Sequence, residues 1–98
     1  MGSSYKSAAF LIESRLADAA RGCPDACFDL GIAYSSGSGG LDVDLVEAHK
    51  WFNLSAMSGS PRAAECRAEV ADDMTAREIA EAQRQARAWL NATQRRAA

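Results

Sequence analysis

Apolar residues recur along the chain every three or four positions, the period that lines one face of an α-helix. Ala8, Leu11, Ile12, Leu16 and Ala19 form one such stripe, and Cys27, Leu30, Gly31 and Tyr34 a second. Ala48, Trp51, Phe52, Ser55 and Ala56 make a third, and Ile79, Ala82, Ala86, Trp89 and Leu90 a fourth. No segment alternates strictly between apolar and polar, so no strand is predicted and the chain reads as all-α.

The breakers and caps divide this pattern into helices. Gly22 can end a helix in the left-handed conformation, and Pro24 can open the next at a position whose N–H would be unpaired anyway. Gly59 and Pro61 repeat that arrangement. Asp44 with Glu47 is placed as a capping pair; Thr75 with Glu78 is a capping box, with Met74 and Ile79 as its hydrophobic staple. The spacing therefore predicts helices over 4–21, 24–36, 45–58, 61–73 and 76–95, with one substantial loop, Ser35 to Gly40.

The punctuation also repeats. Gly22-Cys23-Pro24-Asp25-Ala26 returns as Gly59-Ser60-Pro61-Arg62-Ala63, 37 positions later. Ala48-His49-Lys50-Trp51-Phe52-Asn53 returns as Ala86-Arg87-Ala88-Trp89-Leu90-Asn91, 38 positions later. Two echoes at nearly one offset describe a duplicated unit, and that offset suits a helical pair, since such repeats run about 34 to 47 residues.

The residues at fixed points of the central unit are Ala26, Leu30-Gly31, Tyr34, Gly37, Gly40, Asp44, Ala48, Trp51, Ala56, Gly59 and Ala63. In type and spacing this set resembles the Sel-one-like repeat, a tetratricopeptide-related helix–loop–helix unit. The match is dense over residues 22–63 and sparse in the flanks, where Leu11 and Ser14 stand at the expected Ala and Trp positions and Arg67 at an expected Leu. The loop between Tyr34 and Gly40 is one residue longer than the family's, with Ser38 or Gly39 as the extra residue. The closing MTAREIAEAQRQARAW resembles the last helix of short bacterial members. The resemblance implies a short α-solenoid of about five helices in antiparallel pairs. It would occupy residues 1–98 as one domain, with the full repeat at about 22–63 and degenerate units at 4–21 and 61–95. It also implies adaptor or scaffold work, with Leu30, Gly31, Tyr34, Ala48, Trp51 and Gly59 as packing residues and none of them catalytic.

Composition narrows the partners. Eleven basic against thirteen acidic residues leave a net charge of −2, which offers no basic field for nucleic acid. No apolar run of about 18 residues is present to span a bilayer. Three cysteines cannot all pair within one chain, which suits a reducing, cytoplasmic setting and a soluble protein. Two to two and a half units bury less than a longer array, so the end helices are expected either to cap the stack or to self-associate weakly through an exposed end.

Stacked helical pairs create a concave face lined by the first helix of each pair. Off the apolar stripes of those helices stand Asp25 and Asp29 on one and Glu65 and Glu69 on the other. These four are the candidate partner-binding residues, an acidic groove for a basic or amphipathic segment. The favoured function is a non-enzymatic protein–protein interaction module with no cofactor. One alternative is a small hydrolase or ligand-binding protein using a cysteine or His49. The other is a zinc-stabilised module built from Cys23, Cys27, Cys66 and His49, although those four fall on three helices and lack close paired spacing. His49, between Ala48 and Lys50, is expected on the wet side of its helix.

Overall fold

The structure, a computed structural model, describes residues 4–97, with the side chains of residues 10–38 and 40–94. Five α-helices follow one another: α1 (Ser4–Ala20), α2 (Pro24–Ser36), α3 (Leu45–Met57), α4 (Pro61–Ala71) and α5 (Ala76–Ala97). A short 3₁₀ turn, Ser38–Gly40, interrupts the loop between α2 and α3. Among the described residues there is no strand, and no helix is long and apolar enough to cross a membrane.

Local chemistry sets most boundaries. Pro24 and Pro61 stand in the first turns of α2 and α4, and Gly22 and Gly59, with φ of 88° and 111°, turn the chain just before them. Asp44 caps α3 by accepting from the Glu47 N–H at 3.1 Å. At the start of α5 the box is reciprocal: Thr75 N–H donates to Glu78 Oε1 at 2.8 Å, and Glu78 N–H donates to Thr75 Oγ1 at 3.1 Å. A cap that the sequence reading passes over is Ser60, whose hydroxyl accepts from the Ala63 N–H at 3.2 Å and begins α4. α4 ends two residues earlier than expected because Asp72, Asp73 and Met74 each bond three residues back, a tightened turn that leaves the helix.

α3 is the hub. α2, α4 and α5 all pack on it, while α1 packs on α2. The duplicated-unit reading pairs α5 with its neighbour α4, yet its main packing partner is α3. The reason lies in the stripes: Trp89 meets Trp51 edge to face, with ring centroids 4.8 Å apart, and Ala82 and Ala86 are small enough to let the two helices close on each other.

Two clusters form the interior. One joins Ala19, Ala26, Cys27, Leu30, Trp51, Leu54 and Ala86, with Ile12, Leu16, Tyr34, Trp89 and Leu90 packed against it. The other joins Ala48, Phe52 and Ala63 with Phe28, Cys66 and Val70. Trp51 is 1% exposed and shares its cluster with Leu30 and Tyr34. Ser55 takes its place in the stripe because its buried hydroxyl donates to the Pro24 carbonyl at 2.9 Å, tying α3 to the start of α2. Leu11 departs from expectation. Assigned to the first stripe, it is 51% exposed, since α1 meets α2 through Ile12, Leu16 and Ala19, and Leu11 lies to one side of that contact. Ala8, from the same stripe, falls outside the described side chains.

Candidate functional site

Asp25, Phe28, Asp29 and Ile32 follow each other at i, i+3, i+4 and i+7, so they share one face of α2. Arg62, Glu65, Cys66 and Glu69 have the same spacing on α4. The two faces meet where the Arg62 guanidinium lies 5.2 Å from the centre of the Phe28 ring. Cys66 and Phe28 are packed against the same buried cluster there. Phe28 in turn stacks at a tilt on Phe52, 5.7 Å centre to centre, so the junction is anchored to the hub helix.

The resulting surface has an apolar middle and a charged rim. Ile32 is 39% exposed, and Phe28 is half-buried beneath Arg62. All four predicted carboxylates are exposed, but they do not share one environment. Asp29 accepts from Arg15 Nε of α1 at 3.0 Å, which turns it towards the groove between α1 and α2. Asp25, Glu65 and Glu69 enter no ion pair among the described residues. Glu65 and Glu69 flank Cys66, whose thiol is held above its ordinary range first by burial and then by Glu69. The predicted quartet is therefore a trio of open carboxylates with a fourth partly neutralised. Arg62 is the neighbour that spacing on one helix does not reveal as a bridge.

His49 is a correction. Expected on the wet side, it is 4% exposed, because α4 covers the flank of α3 beside Phe52 and Ala56. Its Nδ1 is buried with no hydrogen-bond partner. Burial, and then the positive charge of Arg67, push its pKa below the ordinary 6.5, so it is held neutral. Arg67 itself donates to Asn53 Oδ1, one turn further along α3, at 2.5 Å. An imidazole closed off in this way has no route to a solvent-borne substrate in this conformation.

Of the three thiols Cys27 is buried, while Cys23 and Cys66 are half-buried. All three cysteines are free. Cys27 is pushed up to about 11 by burial, with a smaller push from Cys23, so at neutral pH it is a thiol and a poor nucleophile. Among the described residues no three His, Cys, Asp or Glu side chains are grouped closely enough to hold a metal ion. A cleft of about 400 Å³ runs over Cys27 between the ends of α1, α3 and α5, walled by Leu54, Met57, Trp89 and Leu90. Its polar groups are mostly spent locally: Thr93 donates to the Trp89 carbonyl and Ser58 to the Leu54 carbonyl.

At the packed centre, Trp51 Nε1 donates to Glu47 at 3.0 Å, Lys50 pairs with Glu47 at 3.1 Å, and the same ammonium sits 4.7 Å from the Trp51 ring centre. The negative charge of Glu47, after burial, also raises the Tyr34 phenol above its ordinary value. The Glu47, Lys50 and Trp51 contacts all lie within α3.

No family model, no curated protein and no solved structure matches this chain.

Proposed function

We propose that the chain is a non-enzymatic protein-interaction module, an adaptor or scaffold of the Sel-one-like, tetratricopeptide-related kind. It would act as a short solenoid whose α2 and α4 faces receive a basic, amphipathic segment of a partner protein. The observation that carries this reading is the meeting of the two i, i+3, i+4, i+7 faces at Phe28 and Arg62. Exposed Ile32 lies on one side of that contact, and Asp25, Glu65 and Glu69 stand around it.

On this reading an apolar anchor of the partner settles on Ile32 and the edge of Phe28, while its Lys or Arg residues reach the rim carboxylates. Affinity then comes from the buried anchor, and orientation and encounter rate from the charges. The platform is rigid because Phe28 stacks on buried Phe52, so little is lost in ordering it on binding. On the same reading the protein would work as a soluble component of a bacterial cytoplasm, a setting that three free thiols support.

The test is selection from a displayed library of short random peptides, followed by titration of the enriched sequences. Enrichment of an apolar residue flanked by Lys or Arg is expected, with affinity falling as salt rises. Asp25→Lys with Glu65→Lys should weaken binding at least about tenfold. Asp29→Lys should matter less, its charge being shared with Arg15. Peptides that bind the charge-reversed protein equally well, or a selection that enriches nothing, would remove the reading.

A further inference from the structure

α4 is a lightly held strap between two helices that dock on each other without it. Among the described residues it packs at length on α3 alone and reaches α2 at Phe28. Ala63, Cys66, Arg67 and Val70, at i, i+3, i+4 and i+7, share one face of it. Three of these join the Phe52 cluster, and only Ala63 is fully buried. Few buried contacts mark an element that can open by itself.

The flank of α3 that α4 covers holds a base without a partner. His49 is 4% exposed and its Nδ1 meets no donor or acceptor, an uncommon state for a buried nitrogen. The charge that α4 turns to it is Arg67, which donates to Asn53 one turn along α3. Cys66, on the same face of α4, is a thiol raised above its ordinary range and so uncharged near neutral pH. From α5, Glu81 is taken up by Arg84 and Gln85 of its own helix. On α3 itself, Glu47 is taken up by Lys50 and Trp51. From α2, Cys27 and Tyr34 are both raised and uncharged in this range. An imidazolium formed at His49 would thus meet a guanidinium and no free carboxylate.

We propose that α4 is a proton-operated strap: protonation of His49 releases α4 from α3 while α2, α3 and α5 stay packed together. A second buried cation beside Arg67 is strongly unfavourable, and opening the seam to water relieves it. Docked, the ring is held neutral first by burial and then by Arg67, against a weaker pull from its own backbone. Released, it returns to its ordinary 6.5. Docking is therefore complete above about 6.5 and weakens about tenfold per pH unit below it, until the docked ring also takes the proton.

Release stops at α4 because the other helices have their own ties to α3. α5 is held by the Trp51–Trp89 contact and α2 by the Ser55 bond to the Pro24 carbonyl. Off its support, a helix of 11 residues is too short to persist in water, so release appears as loss of helix over residues 61–71. The α2–α4 face would come apart in the same step. That consequence rests on the binding role proposed above, whereas the release itself does not.

Relaxation-dispersion NMR of the backbone amides of the full chain tests it. From about pH 6.5 to about pH 5, still above the ordinary carboxylate range, the share of molecules with coil-like shifts confined to residues 61–71 should grow at least about tenfold. His49→Leu should hold that share constant. Arg67→Glu, which sets a carboxylate beside the imidazolium, should also abolish the growth. Both variants are read by their slope with pH, so a change in their starting stability leaves the test intact. A released share in wild type that ignores pH, growth that survives His49→Leu, or loss of all five helices in one step would overturn the proposal.

Discussion

Gly31→Ala adds a single methyl group at the tightest point of the hub. A Cβ on Gly31 would stand 2.5 Å from Cδ1 and Cε1 of Phe52 and 2.9 Å from Cγ. Carbon atoms settle at about 3.5–4.0 Å, so the methyl overlaps the ring by about 1 Å. Two effects oppose each other. Alanine in a helix interior is favoured over glycine by about 1 kcal/mol, whereas overpacking a well-filled core costs about 1–3 kcal/mol. The ring has little freedom to step aside, being almost fully buried and backed by Phe28, so the steric cost should sit high in its range. The expected net loss is about 1–2 kcal/mol, or a fall in melting temperature of about 5–15 °C for a domain of this size. Urea unfolding followed by tryptophan fluorescence and far-ultraviolet circular dichroism reads it directly. In a Phe52→Leu background the same Gly31→Ala change should cost clearly less, a coupling of at least about 1 kcal/mol. A Gly31→Ala protein as stable as wild type would refute the reasoning, because it would mean that α2 and α3 are not held at the approach that the glycine permits.

Three further outcomes follow from the same packing. His49 has a folded-state pKa below its unfolded value. The unfolded chain therefore takes up the proton first as pH falls. Stability should be complete above about 6.5 and decline as pH drops through that value, until the folded state also protonates; His49→Leu should flatten this dependence between pH 8 and 5. Thr75→Ala breaks one half of the reciprocal cap on α5 and should cost about 1 kcal/mol, measured by thermal unfolding, with Thr75→Ser close to wild type. Cys27, with its pKa raised to about 11 and its side chain buried, should resist alkylation by iodoacetamide under native conditions and react at once in urea. Rapid native labelling at Cys27, located by mass spectrometry, would show that the cleft above it opens.

The helices and their ends were legible in the chain because the interactions that decide them span three or four residues. Asp44 with Glu47, Thr75 with Glu78, and glycine followed by proline at 22–24 and 59–61 act before any tertiary contact forms. The stripes that became the interior, Leu30, Ala48, Trp51 and Ala86 among them, follow from a period that any helix must have. The partnership of helices was beyond that reach. Periodicity says that a face is apolar but not which neighbour covers it, so α5 settles on α3 through the Trp51–Trp89 contact, and Leu11 stays open because α2 passes it by. His49 marks the boundary between the two kinds of information: it sits at the margin of its stripe, where the arrival of α4 alone decides between water and burial. Likewise, Asp29 became half of an ion pair only when folding brought α1 alongside, placing Arg15 within 3.0 Å across 14 residues of sequence.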